Sequence, residues 1–381
     1  GGRKVALQMK ILFFANTEWY LYNFRLPLAR YLRDHGHEVV MLSPPGPYVA
    51  KLQAAGFRTL SVPMQRRSLN PLRELALLNH IRRLYIQERP DLVHHFTLKC
   101  VILGALAARL AGIAACVNSV DGMGYIFTST DLLARLLRPP VCILLRLALN
   151  SRYSRLIVQN PDDQREFLTQ RLIHPEHIRL IRGAGVDTER FQPRPRPPGP
   201  FRVLLAARLL WDKGVGEYAE AARLLHSAGL PIELRLAGAP DPGNPASVPP
   251  DTLADWQRQG LLTLLGHVDD MPTLLAETDI VALPTSYREG VPCSLLEAAA
   301  CGLPIITTDG IGCREVVDPG VNGLLIPPRD PTALTIAIRQ LYDDHAARQR
   351  MGQAGRAKVL AEFDERIVFE QTQAVYEELI S

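Results

Sequence analysis

The sequence predicts an α/β protein organised as two parallel-sheet domains, and three observations carry that reading. Short apolar runs alternate with helical stretches along the whole chain, the pattern of sheets whose strands are joined by crossover helices. A proline-rich stretch from Phe191 to Pro200 (FQPRPRPPGP) fits no element interior and divides the alternation in two. The 381 residues are enough for two separate cores.

Taken in order, strands are expected near 9–14, 38–43, 57–62, 91–96, 114–119, 154–159 and 177–182 in the first half. Past the proline-rich stretch they recur near 202–208, 232–237, 261–266, 279–284, 304–308 and 323–326. The first is KILFFA, Lys10 to Ala15; FRVLLAARL, from Phe201 to Leu209, reads as a fully buried strand. The most apolar segment, Val101 to Val117, is interrupted by Arg109 and Gly112. It is too short and too punctuated for a membrane span, so a buried helix followed by a strand is expected there. Leu132 to Leu149 (LLARLLRPPVCILLRLAL) sets arginines in a strongly apolar segment, expected to break into two helices at Pro139-Pro140. A last helix runs from Asp364 to Ile380, and no short-period repeat is visible.

With 47% hydrophobic and 22% charged residues, the composition is that of a soluble globular protein. The six cysteines (100, 116, 142, 293, 301 and 313) form no CxxC pair, so reduced, mostly buried thiols are expected, with neither zinc site nor disulfide frame. The polar start, GGRKVALQMK, has no apolar core of the secretory kind. Charge is uneven: residues 1–200 carry roughly +14 and residues 201–381 roughly −10. Much of the positive charge lies on helical stretches: Arg82 and Arg83, then Arg135, Arg138, Arg146, Arg152 and Arg155. One reading is a helical face lying on an anionic membrane surface; the other is a core-packed helix with solvated arginines. Nucleic acid is disfavoured as a partner, because no aromatic platform or binding motif accompanies the charge.

The most informative run is Glu289-Gly290-Val291-Pro292-Cys293-Ser294-Leu295-Leu296-Glu297. It follows an apolar strand, and Pro292 suits a helix's first turn, with Gly302 ending that helix. Glu289 therefore sits in the loop at the carboxyl end of a strand, and Glu297 about two turns into the helix. Between them lies a helix N-terminus, whose N–H groups attract an anion such as phosphate. Two carboxylates flanking an anion site suit a nucleotide sugar: sugar, diphosphate, ribose. A loop acid plus an ordinary surface glutamate on an amphipathic helix is the plainer alternative. The strand FRVLLAARL ends in Arg208-Leu209-Leu210-Trp211-Asp212-Lys213-Gly214, which places two cations at the edge where open α/β sheets bind ligands. Phosphate neutralisation competes there with plain solvation of surface cations.

In combination, Arg208, Lys213, Glu289 and Glu297 resemble the retaining glycosyltransferases of family 4, which have the two-domain GT-B fold. The resemblance covers nearly the whole chain. It includes Gly185-Val186-Asp187 with Phe191, Leu236-Ala237-Gly238, Leu265-Gly266-His267-Val268, Ala298 to Pro304 (AAACGLP) and Asn322-Gly323-Leu324-Leu325. It implies two Rossmann-like domains facing across a cleft: residues 1–192 for the acceptor and 201–363 for the nucleotide sugar, with helix 364–381 crossing back to the first. It also implies that Arg208 and Lys213 stabilise the departing diphosphate, helped by amides near Ser294 and Leu295. Glu289 would hold the transferred sugar, Glu297 the ribose, and backbone near His267 and Val268 the base. Donor contacts are likewise implied for Gly238, Gly290, Val291 and Pro292, while backbone amides and Asn16 are the candidates for touching the phosphates from the first domain. No cofactor is implied, and no metal: Asp162-Asp163 and Asp269-Asp270 are adjacent pairs rather than a DxD motif.

The first strand is followed by Asn16-Thr17-Glu18-Trp19-Tyr20-Leu21-Tyr22-Asn23-Phe24-Arg25. Many family members carry a glycine-rich loop here; this chain has no glycine in it. Its Asn-Phe-Arg element, with Ser68-Leu69-Asn70-Pro71 and Gly312-Cys313-Arg314-Glu315, looks like the bacterial branch that extends sugars on polyprenyl diphosphate, including enzymes that add N-acetylhexosamines. That resemblance implies a UDP-linked hexose or N-acetylhexosamine donor, a lipid-linked saccharide acceptor, and work at the inner face of the plasma membrane from the cytoplasm, in bacterial surface-glycan or glycoprotein-glycan assembly. GDP-mannose users share the same four residues. Trp19 and Tyr20 can stack on sugar or lipid, or simply pack.

Asp121 opens the loop Asp121-Gly122-Met123-Gly124-Tyr125, where the family often bears a histidine that is absent here. It can contact the transferred sugar or the acceptor hydroxyl, or serve as a turn-forming Asp-Gly. His94 and His95 are expected to be structural. A nucleotide-sugar 2-epimerase on the same fold would need acid and base groups at the sugar's C2, and no convincing set is visible. A purely membrane-binding relative should have lost some of the four site residues, and none is lost.

Overall fold

The structure, a computed structural model, describes residues 7–381 apart from 67, 123–126 and 128. The first six residues of the polar start, and Met123, Gly124 and Tyr125 of the Asp121 loop, lie outside the described residues. Two compact units divide the chain: residues 1–184 with 368–381, and residues 185–367.

Unit 1 holds a seven-stranded sheet: β1 (Lys10–Phe14), β2 (Glu38–Ser43), β3 (Arg58–Ser61), β4 (Leu92–Phe96), β5 (Ala115–Val120), β6 (Ser154–Val158) and β7 (Ile178–Leu180). Their order is β3-β2-β1-β4-β5-β6-β7, and every pairing is parallel. Helices cover both faces, which is why the central strands read as continuous apolar runs rather than alternating ones. Ile11, Phe13, Val39 and Met41 face one core; Leu12, Phe14, Leu42 and Val93 face the other, under the helices Pro71–Glu88 and Leu98–Ala111. Val368, Phe369, Val375, Tyr376 and Leu379, from the C-terminal helix Glu365–Ile380, complete the first of these cores. That helix therefore does cross back to the first domain.

Unit 2 repeats the plan with six parallel strands: β8 (Phe201–Ala206), β9 (Ile232–Ala237), β10 (Thr263–Gly266), β11 (Ile280–Leu283), β12 (Ile305–Thr308) and β13 (Gly323–Ile326). Their order is β10-β9-β8-β11-β12-β13. β8 stops at Ala206, although its apolar run continues to Leu209. The Leu210 N–H bonds back to the Arg208 carbonyl at 2.8 Å, turning the chain at the strand's end. The proline-rich stretch runs along unit 2 instead of joining the units. Arg196 there makes a two-pronged ion pair with Asp279 (2.9 and 2.7 Å), and Phe191 belongs to the unit 2 core.

Two local features differ from expectation. Leu132–Leu149 is one continuous helix with Pro139 and Pro140 inside it, not a pair. Buried Ala134 anchors its first half and buried Leu145, Ala148 and Leu149 its second, so packing outweighs the hydrogen bonds the prolines remove. After β1, the chain enters a short helix (Glu18–Tyr20) and then a π-helical turn, Leu21–Arg25, before the α-helix Leu26–Asp34. A π turn carries one extra residue and often marks a functional site. Here it ends on Arg25, which is buried.

Candidate active site

Strand order in each unit reverses direction at one place, between β1 and β4 in unit 1 and between β8 and β11 in unit 2. Open α/β sheets bind ligands at the carboxyl ends of the strands flanking such a switch. Arg208, Lys213 and Glu289 fall on the loops after β8 and β11, at the unit 2 switch.

Lys213 ends a short 3-10 turn, and Glu289 lies six residues past β11. Their side chains form a direct ion pair, with Lys213 9% and Glu289 8% exposed. The Thr285 hydroxyl also reaches the Glu289 carboxylate, at 3.3 Å, and the Lys213 ammonium lies 4.9 Å from the centre of the Tyr287 ring. The pair is thus a buried, shared charge on the floor of the switch, not two separate surface groups. Close backbone packing holds it. Gly214 has φ +82°, and a Cβ there would meet the Pro284 carbonyl oxygen at 2.1 Å. Ser286 N–H donates to the Asp212 carbonyl at 2.8 Å, sewing the two loops together. Gly312, φ +86°, packs on the Glu289 and Gly290 carbonyls, with 2.6 Å to each from a Cβ. Only glycine fits at 214 and 312.

Arg208 is 42% exposed, and its guanidinium lies 3.3 Å from the Asp241 carboxylate in the loop after β9. Gly238 opens that loop at φ +149°, where a Cβ would stand 1.8 Å from the Ala207 carbonyl oxygen. His267 and Val268 follow β10, with the His267 ring exposed and 2.9 Å from Asp269.

The helix that follows Glu289 spans Cys293–Ala300, with Pro292 as its N-cap rather than in its first turn. Glu297 is its fifth residue, a little over one turn in and not two. Gly290, Val291, Pro292 and Leu295 are buried. The Leu295 N–H is already 3.1 Å from the Pro292 carbonyl, whereas that of Ser294 has no carbonyl partner among the described residues. Ser294 is therefore the better-placed anion donor of the two. The partly buried Glu297 carboxyl is pushed up to about 7 by burial, against a smaller opposing pull from Arg190. Arg190 also donates to the Asp269 carbonyl at 3.3 Å, tying the helix side of the site to the loop after β10. Nothing in the spacing of Arg190 or Asp241 singles them out; only the fold brings them here.

In unit 1, Asn16 lies in the bend after β1, partly buried. Asp121 follows β5 and is held by three donors. Its Oδ1 accepts from Arg25 Nη2 at 2.9 Å and Gln159 Nε2 at 2.7 Å, and its Oδ2 accepts from the Tyr20 hydroxyl. It is no simple turn-former. Tyr20 is committed to this cluster, its ring tilted against Phe24 and Phe96, while Trp19 stays more exposed. His94 is buried between the Ser119 hydroxyl (2.6 Å) and the Tyr376 hydroxyl (2.5 Å), and burial keeps it neutral. His95 contacts Asn118 and Tyr85 and is pushed down to about 4 by burial. All six cysteines are free thiols. Among the described residues no three His, Cys, Asp or Glu side chains are placed to hold a metal ion together.

Two family profiles match the chain: "Glycosyl transferase 4-like" over residues 10–160 and "Glycosyl transferases group 1" over residues 200–344. Together they take in most of the sequence, one in each unit. The chain is a glycosyltransferase with two Rossmann-like domains. It belongs to glycosyltransferase family 4, and its fold is GT-B. Among curated proteins it is similar to the N,N'-diacetylbacillosaminyl-diphospho-undecaprenol alpha-1,3-N-acetylgalactosaminyltransferase of Campylobacter jejuni, at 27% identity over 98% of this chain and 99% of the relative. It is also similar to the UDP-Gal:alpha-D-GlcNAc-diphosphoundecaprenol alpha-1,3-galactosyltransferase of Escherichia coli, at 27% identity over 75% of each. Among solved structures, Anabaena HepE in complex with UDP-glucose superposes with a TM-score of 0.78 at 21% identity, covering 98% of this chain and 99% of that one.

Proposed function

We propose that this glycosyltransferase is a retaining, metal-independent enzyme. It moves a hexose or N-acetylhexosamine from a UDP-linked donor to a saccharide carried on polyprenyl diphosphate. The single observation that carries the donor half of this reading is the buried Lys213–Glu289 pair at the unit 2 switch, beside a helix start and Arg208. The acceptor half rests on the relatives from C. jejuni and E. coli, both named for diphosphoundecaprenol-linked sugars. UDP is favoured by the E. coli relative's name and by HepE, whose structure holds UDP-glucose.

In this mechanism the anomeric C–O bond to the β-phosphate breaks while the acceptor oxygen bonds the anomeric carbon on the same face. The acceptor's proton passes to the departing phosphate oxygen, and UDP leaves. Negative charge grows on the diphosphate, so fixed cations and amides there lower the barrier most. Lys213 supplies one cation and Arg208 leaves Asp241 to supply a second, while the Ser294 amide adds a dipole. Glu289, pinned by Lys213 and Thr285, keeps lone pairs for the sugar's hydroxyls. Glu297 takes the ribose, and backbone at Gly238, His267 and Val268 frames the base. Asp121 accepts a hydrogen bond from a hydroxyl of the acceptor saccharide. Protein cations take the place of a divalent ion, so turnover should survive excess EDTA; loss restored by Mg²⁺ or Mn²⁺ would reverse this point.

The enzyme works peripherally on the cytoplasmic face of the membrane in this reading, docked through unit 1. The helix Leu132–Leu149 exposes Leu132, Leu133, Leu136, Ile143, Leu144 and Leu147 to solvent, with Arg135 and Arg146 exposed beside them. No helix among the described residues is long and apolar enough to cross a membrane. The test is a donor panel (UDP-linked hexoses and N-acetylhexosamines, GDP-mannose) against a short-chain polyprenyl-diphosphate sugar, with products read by mass and anomeric configuration by NMR. One added α-linked sugar from a UDP donor is expected. Transfer only from GDP-mannose, inversion at the anomeric carbon, or epimerised donor without transfer would overturn the proposal.

A further inference from the structure

Asp121 is gripped more firmly than a surface carboxylate needs to be, and the grip comes from residues outside the donor machinery. Arg25 arrives from the π-helical turn after β1, Tyr20 from the short helix before it, and Gln159 from the end of β6. The Tyr20 hydroxyl, which donates to Asp121, itself accepts from Arg25 Nε at 3.1 Å and Nη2 at 2.8 Å. The Arg25 guanidinium lies 4.5 Å from the centre of the Phe96 ring at the end of β4. The cluster thus spans the carboxyl ends of β1, β4, β5 and β6, around the unit 1 switch.

Exposure is graded across it. The Arg25 side chain is 8% accessible and that of Asp121 34%, so the carboxylate is the face that solvent reaches. Three donors occupy the inner side of a group that can accept about four hydrogen bonds or more. A carboxylate held by three donors on one side is a well-aimed acceptor, with lone pairs left for a hydroxyl arriving from the exposed side. Beneath lies a neutral layer in which His94 bridges Ser119 and Tyr376, and Ser119 is two residues before Asp121. Arg25 is one reason His94 stays unprotonated, after burial. Burial also keeps the Tyr20 hydroxyl protonated, hence a donor.

We propose that Arg25, Tyr20 and Gln159 are positioning residues that fix the Asp121 carboxylate as the hydrogen-bond acceptor for a hydroxyl of the incoming saccharide. They act through Asp121, and the inference rests on the reading of Asp121 given under Proposed function. Arg25 fits this task better than lysine, because its planar fork serves Tyr20 and Asp121 at once.

The test is steady-state transfer to a polyprenyl-diphosphate sugar, acceptor varied at saturating donor, for Tyr20→Phe, Arg25→Lys, Asp121→Asn and the double variant Tyr20→Phe/Asp121→Asn. Thermal denaturation and donor affinity by calorimetry are measured on each. Tyr20→Phe keeps the packed ring and removes only the hydroxyl, so it guards against a misfolded arginine variant. Expected is a loss of about 10- to 100-fold in kcat/KM for acceptor in each single variant, with donor affinity unmoved. The double variant should be no worse than Asp121→Asn alone, because both act on one contact. If Asp121→Asn is impaired but Tyr20→Phe and Arg25→Lys keep wild-type acceptor kinetics, the positioning proposal fails and the cluster only holds the fold. Lowered melting temperature with unchanged kinetics in those two variants overturns it in the same way. Wild-type kinetics in Asp121→Asn would instead defeat the underlying reading of Asp121.

Discussion

Lys213 and Arg208 both carry positive charge at the unit 2 switch, yet the structure separates what their removal should do. Either substitution by alanine should cut turnover by about 10²- to 10³-fold, as loss of one charge-stabilising donor does elsewhere. Lys213→Ala should also destabilise the protein by about 3–5 kcal/mol, because it strands the Glu289 carboxylate in a buried site. Arg208→Ala, at a half-exposed side chain, should leave stability within about 0.5 kcal/mol. Melting curves beside initial rates distinguish the two; a stable, inactive Lys213→Ala would show that the buried pair is dispensable to the fold. Glu297 gives a pH signature. Its carboxyl, raised to about 7 from an ordinary 4.5, is largely protonated in mildly acidic solution and cannot then accept from ribose hydroxyls on both oxygens. Donor affinity should rise as pH climbs through about 7, and Glu297→Gln should flatten that dependence. The sign for stability is opposite. A carboxyl with a raised folded pKa favours folding below its ordinary value of 4.5, and that contribution is lost as pH rises through about 7, so Glu297→Gln should raise the melting temperature more in alkaline than in acidic buffer. Residues close together in sequence, such as Glu289 and Glu297, were legible because one strand, loop and helix set their spacing. The partners were not. Lys213 and Glu289 are 76 positions apart, Arg25 and Asp121 96 apart, and no local pattern says that either pair meets.

Among the elements, the thirteen strands of the described residues lie where apolar runs placed them, and most clearly so for the central ones, since a strand buried on both faces leaves little freedom in what it may contain. The helix Leu132–Leu149 was harder to read. Two adjacent prolines argue for a break on local grounds, but buried residues on both sides of them hold one axis. Its exposed side now suggests a sharper experiment than charge alone. Arg146 donates to the Arg171 and Gln170 carbonyls and Arg138 to that of Ser129, so both have work within the fold. Leu136 (65% exposed) and Ile143 (56%) have little to lose from substitution. Leu136→Glu/Ile143→Glu should sharply weaken binding to vesicles containing anionic lipid and slow transfer to the lipid-linked acceptor, while melting temperature stays near wild type. Wild-type binding should weaken as salt rises, each arginine near an anionic surface contributing about 1 kcal/mol. Equal binding to neutral and anionic vesicles, or none to either, would remove the membrane from this picture.

For the whole molecule, the alternation of strands and helices foretold two α/β units but misplaced the seam. The proline-rich stretch looks like a linker because proline fits no element interior, yet an extended segment can lie against a surface as easily as span a gap. The crossings fall at 184/185 and 367/368, and unit 1 is closed by the last fourteen residues of the chain. Truncation after Ile367 should therefore damage unit 1 selectively: its core loses Val368, Phe369, Val375 and Leu379, and His94 loses the Tyr376 hydroxyl. Hydrogen exchange should show loss of protection along β1 and β4 while β8 and β11 keep theirs; uniform loss would mean that the units do not unfold separately. The two crossings also lie side by side. Val186 pairs with Asp364 as a parallel bridge, Val186 N–H bonding the Phe363 carbonyl and Glu365 N–H the Val186 carbonyl, each at 3.0 Å. Gly185, at φ +81°, permits that approach, for a Cβ there would stand 2.6 Å from the Glu365 backbone. Topologically, then, unit 2 is a cassette spliced into unit 1, with both splice points fastened by one clasp. A foreign nucleotide-sugar domain grafted between Ala184 and Val368 would therefore enter and leave its host at neighbouring points of the chain, and a chimera that exchanges the donor while keeping the acceptor should need that one clasp rebuilt.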